Sequence, residues 1–378
     1  MALKPQLTSR MPTPLKDVYS FSFYDRFTQV LQTVLPSFSP EEFLSHIFAE
    51  GWEKKELKER MRHTAQVLHL FLPSAFGQAV PVLLHTIERL QEDNFPVQHV
   101  EFMFLPDYLE VYGQQDLDLS LQAMEVMTQF ISCEFAIRPF LLQYPTQVLA
   151  QMQAWSLHEH PAVRRLASEG SRPRLPWAVA LPFLKRDPAP LLPILENLKA
   201  DPSDFVRRSV ANHLNDISKD HPAVVLHLLT QWKGQNPLTH WILKHGCRTL
   251  LKQGHPEALR FFGYERDVPL ALRDFQVLTS QVRVGQELRF SFVLKNTSGF
   301  PQKVRLEYGL YYQKANQSLA RKVFKISERE FAPEEEACII RRQSFKPIST
   351  RTFHLGPHRV SVIVNGQERE MADFTLVP

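Results

Sequence analysis

The stretch FVRRSVANHLNDISKDHP, residues 205–222, decides how the first part of the chain folds. It follows Asp-Pro-Ser-Asp (201–204), which supplies an N-cap, a proline at the first helical position and an early acid. With about 100° between successive residues, one side of this helix is apolar. The pattern predicts an amphipathic helix that buries Val206, Val210, Leu214 and Ile217.

Another side of the same helix carries a polar column, Arg208, Asn212 and Asp216, at intervals of four residues. Asn and Asp are poor helix formers, and an Asp near a helix C-terminus opposes the helix dipole. Such violations of local preference are frequent at functional sites. The structural alternative is an exposed face with an Arg-to-Asn contact, in which Asp216 caps the following turn.

The helix also belongs to an internal repeat. HPAVRRLASEG (160–170) resembles DPSDFVRRSVANHL (201–214), and the Val-Arg-Arg triplets begin at residues 163 and 206, 43 residues apart. A weaker third copy begins at Asn236. A period near 40 built of paired helices is typical of HEAT-like repeats, which stack into solenoids with a concave binding surface. We therefore expect a mainly α protein with a HEAT-like repeat domain over residues 1–266.

After about residue 268 the apolar pattern changes to period two. About seven segments read as strands, and Asn365-Gly366 is a hairpin turn signal between the last two. Seven short strands in about 110 residues suit an immunoglobulin-like β-sandwich, which we predict over residues 267–378. The alternative for this region is a packing domain without a site of its own.

Motifs for several other functions are missing from the sequence. The three cysteines, Cys133, Cys247 and Cys338, lie far apart, and there is no CxxC, HExxH, GxxxxGK[ST] or GxGxxG. These absences leave no signal for a disulfide framework, a zinc site or a common nucleotide-binding loop. We expect no cofactor and no metal.

Targeting signals are also missing. No apolar run near 20 residues occurs, and the first 20 residues lack a signal-peptide pattern. We therefore expect a cytoplasmic protein without a membrane span. Residues 1–20 form an extension for which the sequence suggests no role, and nothing indicates oligomerisation, so we expect a monomer.

Positive charge is concentrated in one segment. From Arg164 to Arg208 there are nine Lys or Arg residues against five acids, an excess of four that equals the net charge of the whole chain. A basic surface of this kind is compatible with binding a polyanion. The structural alternative for the arginine pairs is salt bridging between repeats, which is worth roughly 0 to 1 kcal/mol per exposed pair.

Five motifs resemble one known family. They are ELKERMRH (56–63), EFAIRPFL (134–141), VRRLASEGSRPRLPWA (163–178), LKRDPAPLLPILE (184–196) and the 205–222 segment. In this order they resemble the HEAT-like-repeat DNA glycosylases that excise alkylated bases, in particular the AlkC branch, one subset of which carries an appended sandwich. The resemblance covers roughly residues 40–265.

The resemblance implies a set of site residues. It suggests that Glu134, Trp177 and Asp216 line a catalytic cleft. Together with the basic charge, it also suggests that a group of polar and cationic residues faces DNA: Arg164, Arg165, Arg172, Arg174, Arg207, Arg208, Asn212 and Lys219. The partner would be double-stranded DNA with alkylated bases, and a loop of the sandwich domain would complete the grip on the duplex.

These residue types suit the chemistry that the resemblance implies. A base alkylated at N3 is cationic and leaves readily, so a carboxylate need only stabilise the sugar cation and activate water. Glu134 is our candidate for that role and Asp216 for a second charge, while Trp177 offers its face to a cation. Structurally, Glu134 could instead pair with Arg138 at i+4, and Trp177 could be a core residue beside Pro176.

The resemblance implies a monofunctional glycosylase that leaves the lesion stacked and acts on 3-methylcytosine or 3-methyladenine. The aligned site lacks a lysine that could form a Schiff base, although Lys219 lies one turn beyond Asp216 and keeps that point open. The alternative is a non-catalytic HEAT-repeat scaffold that binds damaged or branched DNA, or a protein. A pure binder has no reason to retain the two carboxylates with Trp177.

Overall fold

The computed structural model describes residues 14–348 and 351–378. The expectations about the N-terminal extension and the missing signal peptide therefore fall mostly on residues outside the described ranges. The chain forms two compact units that meet in sequence between Asp216 and Ile217, within one helix. The last helix ends at Phe261 and the first strand begins at Leu270. The domain boundary between residues 266 and 267 remains a prediction.

The first part of the chain is helical, as predicted. Sixteen α-helices lie among the described residues: α1 (Phe21–Val34), α2 (Pro40–Ile47), α3 (Leu57–Phe71), α4 (Phe76–Glu92), α5 (Phe104–Tyr112), α6 (Leu117–Met127), α7 (Ile137–Gln143), α8 (Pro145–Trp155), α9 (Pro161–Gly170), α10 (Pro182–Arg186), α11 (Leu192–Leu198), α12 (Asp204–Asp220), α13 (Pro222–Trp232), α14 (Pro237–Gly246), α15 (Arg248–Gln253) and α16 (Pro256–Phe261). Four short 3-10 helices accompany them: Leu15–Val18, Trp52–Lys54, Val100–Met103 and Ala189–Leu191.

Local sequence explains where the repeat helices begin. Proline, which lacks the N–H that a first turn leaves unpaired, opens both α9 and α14. The side chains of His160 and Asn236 cap these helices by accepting hydrogen bonds from the backbone N–H groups of Ala162 and Leu238. The apolar stripe predicted for α12 is buried, at Val206, Val210, Leu214 and Ile217.

The internal repeat recurs at the level of individual contacts. Nη1 of Arg164 donates to the backbone carbonyl oxygens six and five residues earlier, at 2.9 and 2.7 Å. Nη1 of Arg207 makes the same two contacts at the same two distances in the next repeat. The guanidinium of Arg164 also donates to both carboxylate oxygens of Asp201, at 2.6 and 3.1 Å. Arg164 therefore bridges the two repeats, as the structural alternative predicted, whereas Arg207 holds the segment that precedes its own helix.

Among the described residues of the second part there are eight strands in two sheets, where the sequence predicted about seven strands. They are β1 (Leu270–Val277), β2 (Gln281–Arg283), β3 (Glu287–Asn296), β4 (Gln302–Gln313), β5 (Leu319–Phe331), β6 (Glu336–Ser344), β7 (Gly356–Val364) and β8 (Gln367–Val377). One sheet has the order β1-β3-β6 and the other β2-β8-β7-β4-β5. The pairings are antiparallel except for β2 with β8. With only three residues, β2 is too short to show alternation.

The sandwich core follows the predicted alternation. In β3, Leu288, Phe290, Phe292 and Leu294 are buried, so one face of the strand fills the space between sheets. The hairpin turn between β7 and β8 is confirmed at Asn365 and Gly366, whose φ angles of 46° and 75° are both positive, as a type I′ turn requires. The fold class predicted from sequence, HEAT-like helices followed by a β-sandwich, is confirmed.

Among the described residues, no single helix is long and apolar enough to cross a bilayer. One pair, α3 with α4, has the length and composition only when the two helices are taken together, and it is bent by 112°.

Candidate active site

A cleft of about 410 Å³ opens in the first unit, between the loop before α7, the helix α9 and the start of α12. Two of the three predicted catalytic residues, Glu134 and Trp177, line it. The polar and aromatic lining comprises Gln98, Ser132, Glu134, Phe135, Arg165, Glu169, Arg172, Trp177 and Phe205. The third predicted residue, Asp216, contacts this lining through Arg172.

Glu134 is fixed at the edge of the cleft by two hydrogen bonds to one oxygen. It precedes α7 in a turn, and its side chain is 17% exposed. Oε2 accepts from Nη1 of Arg165 at 2.5 Å and from the Ser132 hydroxyl at 2.8 Å. Among the described residues no hydrogen bond reaches Oε1, so this oxygen can accept a hydrogen bond from water.

A second ion-pair network forms the floor of the cleft. Arg172 donates from Nη1 to Oε1 of Glu169 at 2.5 Å and from Nε to Oδ2 of Asp216 at 2.9 Å. Burial by itself would raise the pKa of Glu169, but the charges of Arg165 and Arg172, with hydrogen bonds from Ser209 and Arg172, outweigh it and lower that pKa. Glu169 is therefore an anion at neutral pH.

The burial of Asp216 excludes the exposed-face interpretation at this position. Its residue surface is 2% exposed and its carboxylate binds Arg172, so it does not merely cap a solvated turn. The three residues of the predicted polar column of α12 therefore differ in how far their side chains are exposed to solvent. Arg208 keeps 70% of its side chain exposed and pairs with Asp204 at 2.7 Å, Asn212 is half-buried, and Asp216 is enclosed.

Trp177 lies at the rim of the cleft with 61% of its surface exposed, so the interpretation as a core aromatic is wrong. It lies in the loop between α9 and α10, and its φ of 67° is in the left-handed region. For a bulky residue this conformation is strained, because Cβ crowds the backbone. Residues held in this way are frequent at active sites.

Arg138 does not pair with Glu134, so the i+4 interpretation is also wrong. The Arg138 side chain is buried and donates to backbone carbonyls of the Trp177 loop: from Nη1 to Gly170 at 3.0 Å and Arg172 at 2.9 Å, and from Nε to Val179. Burial, followed by the positive charge of Arg172, lowers the pKa of Arg138 to about 10. It therefore remains a cation at neutral pH and ties both ends of the loop.

Comparison with known proteins relates this arrangement to DNA repair. A family model described as "DNA alkylation repair enzyme" matches residues 117–250, which include the whole cleft floor. A second model, the C-terminal Ig-like domain of the uncharacterised protein YhaZ, matches residues 271–378. The chain is 41% identical over 360 residues to the uncharacterised protein YhaZ of Bacillus subtilis, covering 95% of this chain and 98% of that protein.

A solved structure agrees with both models. The alkylpurine DNA glycosylase AlkC of Pseudomonas fluorescens, bound to DNA containing an abasic-site analogue, is similar at a TM-score of 0.90 and 38% identity, covering 97% of this chain and 100% of that one. This chain belongs to the AlkC-type family of DNA alkylation repair glycosylases. The AlkC-type fold accounts for both parts of the chain, the HEAT-like helices and the Ig-like sandwich.

The predicted DNA-contacting residues of this AlkC-type chain have different surroundings. Arg164 forms a salt bridge with Asp201 of the next repeat, which is the structural alternative, and Arg207 binds backbone carbonyls within its own repeat. Arg165 and Arg172 bind carboxylates inside the cleft. The others lie half-buried or exposed: Arg174, Arg208, Asn212 and Lys219. Their contacts with DNA remain predictions, as do the roles of Glu134, Trp177 and Asp216.

Sequence reasoning missed several residues of the AlkC-type cleft. Glu169 had a signal, because it lies four residues after Arg165 on α9 and three before Arg172. Phe205 had none, since only the fold brings its ring to 4.5 Å from the guanidinium carbon of Arg165. The Ser132 hydroxyl donates to Glu134 at 2.8 Å and accepts from Nη1 of Arg165 at 3.1 Å, so it contacts both members of that ion pair. Among the described residues, no group of His, Cys, Asp and Glu is arranged to hold a metal ion.

Proposed function

We propose that this AlkC-type chain is a monofunctional DNA glycosylase that hydrolyses the N-glycosidic bond of cationic alkylated bases, 3-methyladenine and 3-methylcytosine, in duplex DNA without flipping them. The observation that carries the proposal is the geometry of Glu134. One carboxylate oxygen is held by two hydrogen bonds, while the other can bind the attacking water. The relative from Pseudomonas fluorescens, an alkylpurine DNA glycosylase, supports the DNA substrate.

The carboxylates suit a transition state with positive charge on the sugar. In the directly paired network, three carboxylates (Glu134, Glu169 and Asp216) face two guanidinium groups (Arg165 and Arg172). Because this network exists before the substrate binds, little reorganisation is needed as positive charge develops at C1′. A carboxylate about 4 Å from that charge, at an effective dielectric constant of about 20, contributes about 4 kcal/mol.

The exposed aromatics support recognition of a lesion that stays in the helix. Trp177 and Phe205 keep 61% and 41% of their surfaces exposed at the cleft rim, so they do not form the two walls of a closed base pocket. A flipped base is normally stacked between such walls. Without such a pocket, selectivity comes from the lability of a cationic base, and the enzyme should leave neutral uracil in place.

Arg165 contacts both the proposed catalytic carboxylate and an aromatic ring at the rim of the cleft. Its Nη1 holds Glu134 and its guanidinium carbon lies 4.5 Å above the ring of Phe205. It therefore orients the proposed catalytic carboxylate as well as lying where a phosphate could approach. We infer that Arg165→Ala impairs the chemical step and DNA binding together, whereas substitution of a peripheral arginine weakens binding alone.

Base release tests the function directly. Purified protein is incubated with duplex oligonucleotides that carry one 3-methyladenine, 3-methylcytosine or uracil, and the free base is quantified under single-turnover conditions. Release of a methylated base but not of uracil is expected. If neither methylated base is released while the duplex is bound, the chain is the non-catalytic scaffold instead.

The monofunctional assignment has its own test. Among the described residues that line the cleft there is no lysine, so no Schiff base with the abasic product is expected. Borohydride reduction during turnover should therefore leave no covalent protein–DNA adduct. An adduct on Lys219 or on any other lysine would overturn this assignment and leave the glycosylase assignment intact.

A further inference from the structure

The tip of the loop that carries Trp177 is held weakly by the loop's own backbone. Two of its backbone hydrogen bonds, from Ala178 to Leu175 and from Leu181 to Pro173, are both at 3.4 Å, the long limit of such bonds. Yet the Trp177 backbone has a left-handed conformation that a bulky residue adopts only when its surroundings impose it. Contacts from outside the loop therefore bear on how this conformation is held.

Two cations from other helices make such contacts. Arg138, on α7, binds the carbonyls of Gly170, Arg172 and Val179 and so fixes both ends of the loop. Lys58, on α3, donates from Nζ to the carbonyl oxygen of Trp177 itself at 2.7 Å. This is a charge-assisted hydrogen bond to the strained residue.

Lys58 also connects the loop to the segment that carries Glu134. Its Nζ lies 5.4 Å from the centroid of the Phe135 ring, and Phe135 lines the cleft directly after Glu134. One ammonium group therefore contacts both the Trp177 backbone and the aromatic neighbour of the proposed catalytic carboxylate. The α3 helix that carries it is anchored one turn further on, where Arg62 binds both carboxylate oxygens of Asp107.

We propose that Lys58 and Arg138 are positioning residues that present the Trp177 indole to the lesion. Arg138 holds the two ends of the loop, and Lys58 holds the left-handed backbone at its tip, so the indole is oriented before DNA binds. The expected effects on the reaction rate rest on the proposed glycosylase function. The expected effect on the motion of Trp177 in the free protein does not.

The first test needs no activity. The fluorescence of Trp177 is obtained as the difference between the protein and its Trp177→Phe variant, and time-resolved anisotropy measures the local motion of the indole. In Lys58→Met and in Arg138→Lys, whose single ammonium cannot span both loop ends, faster local motion is expected; Lys58→Arg should restore much of the order. Unchanged motion in either variant overturns the role of that residue, whether or not the protein releases bases.

The second test is a double-mutant cycle on base release. Lys58→Met should lower the single-turnover rate about tenfold, on the scale of one charge-assisted hydrogen bond, with the Kd for DNA and its salt dependence unchanged. On a Trp177→Ala background it should have no further effect, because Lys58 acts through Trp177. Lys54 ends the 3-10 helix that precedes α3 and lines the same surface depression as Lys58. Lys54→Met is therefore the matched control and should retain the parent rate.

The competing role for Lys58 is direct binding of a DNA phosphate. In that case Lys58→Met would weaken binding, reduce the salt slope by about one, and add its full effect to that of Trp177→Ala. Such additivity would overturn the proposal. If the parent protein releases no methylated base, the glycosylase function fails, and the anisotropy measurement alone decides the inference.

Discussion

Replacing Glu134 by Gln removes one negative charge from the cleft while preserving the shape of the side chain. The Gln carbonyl oxygen can still accept from Arg165 and Ser132, which now bind Oε2 at 2.5 and 2.8 Å, so the fold should be retained. What is lost is the interaction with positive charge on the sugar. With 17% of the side chain exposed, an effective dielectric constant of about 20 is appropriate, and a separation of about 4 Å gives about 4 kcal/mol.

That free energy corresponds to a rate loss of about a thousandfold in the chemical step. The assay is single-turnover release of 3-methyladenine from duplex DNA, with the Kd measured separately by fluorescence anisotropy. Glu159→Gln, a substitution of an exposed acid in the turn before α9, is the control and should retain the parent rate. A Glu134→Gln protein that binds DNA and releases base at the parent rate would refute the assignment of Glu134.

Three further predictions concern the stability of the scaffold. Asp216→Asn should lower the free energy of unfolding in urea by about 1.5 to 3 kcal/mol, because Arg172 loses the charge of a buried partner; no loss would show that the pair is not stabilising. Burial, followed by the charge of Arg172, lowers the pKa of His213 from 6.5 to about 3. Between pH 6.5 and about pH 3 the unfolded chain binds a proton that the folded chain does not. The free energy of unfolding should therefore fall by up to about 1.4 kcal/mol for each unit by which the pH falls. In urea unfolding measured at several pH values, His213→Leu should remove this pH dependence. Gly366→Ala should destabilise by about 2 to 4 kcal/mol, because φ is +75° and the new Cβ would lie 2.7 Å from the backbone Cα of Gly254; an unchanged urea midpoint would contradict this reasoning.

Sequence periodicity was sufficient for the fold because the decisive interactions are local or repeated. The stripe from Val206 to Ile217 specifies a helix face by spacing alone, and Asn365-Gly366 specifies a hairpin turn by the backbone angles it tolerates. The strand β2 could not be predicted in this way. Its three residues are ordered by parallel pairing with β8, more than 90 residues later in the chain, and such pairing leaves no local signal.

The candidate site was harder to predict from the sequence, because each charged side chain has several possible partners and the fold determines which of them it contacts. Spacing favours a contact between Glu134 and Arg138, yet Arg138 binds backbone carbonyls and Glu134 binds Arg165, which is on another helix. A helical wheel likewise assigns Arg208 and Asp216 to one face but does not distinguish exposed from enclosed positions. Only the packing of α9 against α12 decides which end of that face meets Arg172.

The paired arginines of the two repeats suggest how a binding site can arise by duplication. In each copy the first arginine makes the same two carbonyl contacts, so it has the same local structural role in both. The second arginine has diverged in its surroundings: Arg165 meets Glu134 in the cleft, whereas Arg208 remains at the surface beside Asp204. A duplicated helix pair can thus acquire a new task at one position while its neighbour preserves the architecture, and an ancestral copy could have gained its carboxylate partner without first losing its fold.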